Sequence, residues 1–116
     1  MTCAAFLSLL PYRQKLIHAR WSGEACWIPL GEFRLGVEPE NAITNPAPGQ
    51  LLFYPGGISE TEILFPYGKS AFACKEGPLA GSPFLTVIEG ADNLAALGRL
   101  TLWQGAQDIA FEGDKP

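Results

Sequence analysis

A chain of 116 residues holds one domain and leaves too few residues for a second core. With 47% hydrophobic and 17% charged residues, it is too apolar to remain disordered. Its net charge of −4 and eight scattered Lys and Arg offer no basic face to nucleic acid and no attraction to anionic lipid.

The ten prolines and thirteen glycines are spread along the chain, as punctuation between short β elements would be. Thr2 predicts the cap of a short helix with Phe6, Leu7, Leu9 and Leu10 as its apolar stripe, and Pro11 ends it. Over 14–22, Leu16, His18 and Arg20 alternate with Ile17, Ala19 and Trp21, the period of a strand. Gly23 then turns the chain into a partner strand over 24–30, making a hairpin. Residues 31–49 carry Gly31, Gly36, Pro39, Pro46, Pro48 and Gly49 and read as a long loop with a brief strand at 33–35. A strand at 51–54 leads into Pro55-Gly56-Gly57, where proline fixes one corner of a tight turn and glycine tolerates positive φ at the next.

Further strands are expected at 61–65, 71–75 and 84–89, with Pro66-Tyr67-Gly68 and 77–83 as breaks. A second helix over 92–103 turns Leu94, Leu97, Leu100 and Trp103 inward despite Gly98, and Gly105 stops it. A strand at 109–112 and a tail at 113–116 close the chain. The sum is a mainly β fold of about seven short strands and two short helices, a small barrel with helical caps.

Cys3, Cys26 and Cys74 form no CxxC, and the lone histidine cannot complete a zinc site with them unless a carboxylate helps. Three buried free thiols are expected, with no metal and no cofactor. Gly56-Gly57 lacks both the Lys-Ser/Thr of a Walker loop and the third glycine of a dinucleotide fold. The apolar stretch 3–10 has no preceding positive charge and no cleavage site, so it is not read as a signal peptide. No apolar run nears the roughly 20 residues of a spanning helix. A soluble, cytoplasmic protein is expected.

Several runs carry a family resemblance. They are Thr2-Cys3-Ala4-Ala5-Phe6 to Leu10-Pro11, Ile17-His18-Ala19-Arg20-Trp21-Ser22-Gly23, Glu40-Asn41-Ala42, Pro48-Gly49 to Tyr54-Pro55-Gly56-Gly57-Ile58-Ser59-Glu60, Phe65-Pro66-Tyr67-Gly68 and Trp103-Gln104-Gly105-Ala106-Gln107. Together they resemble a bacterial family of cyclophilin-like domains of unknown function, over nearly the whole chain. The resemblance implies a small β-barrel of cyclophilin topology and no established activity. It also implies an additional strand before the first helix, which this chain lacks; Met1 is therefore read as a fragment boundary or misplaced start, ahead of a partner-supplied strand or an open barrel. Catalytic cyclophilins set a Phe-His-Arg strand before a Gln-Gly-Gly-Asp run. Here Ile17-His18-Ala19-Arg20 fits poorly and no such run follows, so prolyl isomerase activity is not expected.

If the strand face bearing Leu16, His18 and Arg20 lines the barrel mouth, His18 and Arg20 make a cationic spot for a carboxylate. The competing reading sends both to solvent or pairs Arg20 with Glu24. Glu60 and Glu62 fit a carboxylate pair on one strand face, or more ordinarily a solvated edge. The aromatics Trp21, Trp27, Tyr54, Phe65 and Tyr67 fit either the lining of a pocket or the filling of a small barrel; Trp27 and Phe65 read as core, and Tyr54 and Tyr67, each beside turn residues, stay open between the two. The leading expectation is a barrel that binds a small molecule or peptide at its mouth, through His18, Arg20, Tyr54, Ser59, Glu60 and Tyr67. An enzyme using His18 as acid or base, and a homo-oligomeric interaction module, are the alternatives.

Overall fold

In a computed structural model that describes residues 1–113, the chain runs α1 (Thr2–Leu7), β1 (Tyr12–His18), a 3-10 turn (Arg20–Ser22), β2 (Gly23–Gly31), β3 (Gln50–Tyr54), β4 (Thr61–Ser70), β5 (Ala73–Cys74), β6 (Gly77–Pro78), β7 (Ser82–Thr86), a second 3-10 turn (Ala91–Asn93), α2 (Leu94–Gln104) and β8 (Gln107–Phe111). Six strands pair antiparallel in the order β7-β3-β4-β2-β1-β8, and β5 with β6 forms a separate ribbon. The sheet curls strongly into half a barrel, and its outer strands β7 and β8 do not bond to each other. The mainly β class with two helices holds, in an open curled form. The tail expected at 113–116 lies, beyond Gly113, outside the described residues.

The central strands are apolar on both faces because both faces are covered. Along β4, Ile63 and Phe65 join one cluster and Leu64 the other; Leu51 and Phe53 alternate with Leu52 and Tyr54 in the same way on β3. The concave cluster takes in Leu16, Cys26, Ile28, Phe53 and Ile63 with Phe6 of α1. The convex cluster sets Ala25, Leu52, Tyr54 and Leu64 under Phe72 and Leu79, which the excursion through β5 and β6 folds back over the sheet. Outer strand β8 has one face to bury and alternates half-buried with exposed positions.

Several expected boundaries move. Thr2 lies inside α1, and its N–H is met by Glu40 Oε1 at 3.1 Å, so a carboxylate far along the chain caps the helix. The strand expected over 14–22 ends at His18, because buried Ala19 turns to φ −111°, ψ 67° and donates its N–H to Ala25. Arg20 therefore sits on a 3-10 turn and does not share a strand face with His18. No strand forms at 33–35. β4 runs through Pro66-Tyr67-Gly68, where a break was expected. Its pairing with β3 ends at Leu64, so the missing N–H of Pro66 breaks no ladder on that side.

On α2 the buried positions are Leu94, Gly98 and Thr101, while Leu100 and Trp103 are exposed. A series of threes drifts by about 60° per step on a 3.6-residue helix, so Trp103 ends opposite Leu94. Gly98 faces Tyr67 so closely that a Cβ there would overlap the ring. Gly98→Ala gains about 1 kcal/mol of helix propensity and loses about 1–3 kcal/mol to overpacking. A net loss of up to about 2 kcal/mol is expected, read as a lower urea midpoint at unchanged slope. An unchanged or raised midpoint would show that the ring yields freely.

Candidate functional site

On the convex side, where the cover over the sheet stops, a cleft of about 600 Å³ opens. Trp21 of the first 3-10 turn and Trp27 of β2 form one wall, meeting edge to face at 5.3 Å and 82°. The loop between β3 and β4 supplies Ile58, Ser59 and Glu60; the end of β5 supplies Cys74, and the turn into β6 supplies Lys75 and Glu76. Glu62 of β4 also lines it.

Register explains this placement. Glu62 pairs with Pro29 on β2 and Tyr54 on β3, so it sits in the middle of the sheet with its side chain on the convex face, beside Leu64 and Trp27. It is only 3% exposed. No hydrogen-bond donor reaches its carboxyl among the described residues, and burial, aided by the negative charge of Glu60, pushes its pKa from 4.5 up to about 8. Near neutral pH this favours the protonated form of the carboxyl, which can give a proton. Trp27 adds a buried indole N–H with no acceptor among the described residues.

The loop wall is braced from two sides. Tyr54 Oη accepts the N–H groups of Ile58 at 2.9 Å and Ser59 at 3.4 Å. Arg34 Nη1 donates to Thr61 Oγ1 at 2.8 Å, and that hydroxyl donates to Pro55 O at 3.4 Å. Gly56, at φ 98°, takes the positive φ expected after Pro55, within a loop wider than a tight turn. On the opposite wall, Cys74 Sγ donates to Glu76 Oε2 at 3.2 Å.

The six residues expected at the mouth do not form one site. Ser59 and Glu60 line the cleft, and Tyr54 holds their loop from beneath. His18 and Tyr67 lie on the concave side, His18 Nε2 and Tyr67 Oη 2.8 Å apart. Burial, and then Arg20, lowers the His18 pKa; burial raises that of Tyr67. This pair lies near the surface that α2 covers through Gly98. Arg20 is exposed on its turn and makes no ion pair with Glu24 among the described residues; Glu24 accepts the Lys69 N–H instead.

Glu62 is no solvated edge residue, because β4 is a central strand. Trp27, expected in the core, is half-buried and lines the cleft, whereas Phe65 does pack against the core. The cysteines are free, but Cys3 is exposed and Cys74 only half-buried, so three buried thiols are not found. Among the described residues, no three His, Cys, Asp or Glu side chains converge as a metal site would. No helix among them is long and apolar enough to cross a membrane.

A family model described as a protein of unknown function (DUF3830) matches residues 1–112. No curated protein matches the chain.

Proposed function

We propose, for a chain that belongs to the DUF3830 family, that it binds a small molecule or short peptide in the cleft between Trp21, Trp27 and Glu62. The observation that carries this reading is Glu62 itself. The residue is 3% exposed and its carboxyl, which lines the cleft, has no donor among the described residues; such a group costs stability, and a chain retains it most readily where a ligand completes it. Aromatic walls with a few polar anchors are also the usual make-up of a small-ligand site. The curled sheet is read here as an opened cyclophilin-like barrel, of bacterial and cytoplasmic type.

An NMR fragment screen tests the proposal. Hits should shift the indole N–H resonances of Trp21 and Trp27, and Trp27→Leu should weaken them about tenfold or more, as loss of a buried aromatic contact does. Hits that map to other surfaces, or that bind Trp27→Leu unchanged, would end it. The raised Glu62 pKa favours one second reading, an enzyme that uses this carboxyl as a general acid. Turnover of a bound compound, lost in Glu62→Gln, would place the chain there.

A further inference from the structure

Resting on that cleft as the binding site, we infer that its ligand is an organic cation, an ammonium group seated between the tryptophan wall and the Glu60 and Glu62 carboxyls. Charge is the first argument. The lining holds three carboxyl groups, Glu60, Glu62 and Glu76, against the single amine of Lys75. Lys75 forms no ion pair with any of them among the described residues. An anion entering here would meet like charge, and a wholly apolar ligand would leave Glu62 unpaired.

The walls supply the second argument. Trp21 is 54% exposed and stands edge to face with Trp27, which leaves an open indole surface beside the acids. Tryptophan is the strongest partner for a cation over its ring, and carboxylates beside such a ring add attraction of the same sign. The Trp27 N–H, with no acceptor of its own, suits an oxygen carried next to the cation.

Seating the ammonium changes the charge on the site. Glu62–COOH and R–NH₃⁺ become Glu62–COO⁻ paired with R–NH₃⁺, and the displaced proton goes to solvent. No bond other than O–H is broken, and nothing is oxidised. The groups that set this exchange are Glu60 from the loop, Glu76 and Lys75 from the ribbon turn, and Arg34 behind Thr61. Near pH 7 binding should therefore release up to about one proton, and affinity should rise up to about tenfold per pH unit until Glu62 is ionised.

The experiment is a titration of the full chain with benzylammonium between pH 6 and 9, followed by NMR and by calorimetry in two buffers of different ionisation enthalpy. Benzyl alcohol and benzoate are the neutral and anionic counterparts, and Nα-acetyl-lysinamide presents the same charge as a peptide would. Expected is at least tenfold tighter binding of benzylammonium or the lysine probe than of the other two. Glu62→Gln should cost about tenfold in affinity and abolish proton release; its urea midpoint checks that it folds. Which ammonium binds better tells a free amine from a peptide-borne one. If benzyl alcohol or benzoate binds as well and Trp27→Leu loses it, the cleft stands and the cation inference falls. Failure of both ammonium probes to bind, or binding without proton release at pH 7, also overturns it.

Discussion

Phe6→Ala is expected to lose about 3–5 kcal/mol of folding stability, the cost of emptying a buried aromatic site. Phe6 is 1% exposed, and its ring stands edge to face against Phe84 at 5.0 Å, Phe111 at 5.0 Å and Tyr12 at 5.7 Å. Phe84 belongs to β7 and Phe111 to β8, the two strands that close the sheet order without bonding to each other. One side chain from a six-residue helix thus spans the open side of the curl. Its removal leaves a void between two strands that no ladder holds together. The measurement is urea or thermal unfolding, with a fall in Tm of roughly 12–20 °C. Leu7→Ala, at a half-exposed position of the same helix, should change stability by no more than about 0.5 kcal/mol. A loss below about 1 kcal/mol for Phe6→Ala would show that the strands hold their positions without it.

Stability should also fall as pH rises from about 5 to about 8, and Glu62→Gln should remove that fall. The folded carboxyl titrates at about 8 against an ordinary 4.5. Between those values the native chain keeps a proton that the unfolded chain has released. The contribution is fully present below 4.5 and is lost as the pH rises through about 8. His18 runs the other way: its lowered pKa makes the fold more stable as pH rises toward the ordinary value of 6.5. Comparing parent with Glu62→Gln cancels the histidine. Near pH 4 the two should unfold together, and at pH 9 the glutamine variant should be ahead by roughly 4–5 kcal/mol, about 16–20 °C in Tm. Parallel stability curves across that range would mean that Glu62 ionises as freely folded as unfolded.

Much of the β architecture is legible in the chain, because strand period and burial are local signals. The alternation after Pro11 marks β1, Gly23 marks the hairpin, and Leu51 to Tyr54 reads as a strand from apolarity alone. What defeats the reading is tertiary. Ala19 leaves the strand because Ala25 offers its carbonyl there, and that one turn separates Arg20 from His18. Pro66 looks like a terminator and is carried through because the β3–β4 pairing stops at Leu64, short of it. That error hides the site as well. With β4 cut short, Glu62 passes for an edge charge; with β4 central, it becomes a carboxyl in the apolar run Thr61-Glu62-Ile63-Leu64-Phe65, and that is the signal sequence could have supplied. Lys75 and Glu76 carry no such mark, since only the fold-back of β5 and β6 brings them near.

The unbonded pair β7 and β8 makes the molecule a split ring, hinged at a seam of aromatic rings. A split ring breathes at its gap, so slow amide exchange should survive longest on β2 and β4, the strands farthest from it in sheet order. Trp27 and Glu62 stand on those two strands. Whatever loosening the seam permits, their part of the cleft is insulated from it.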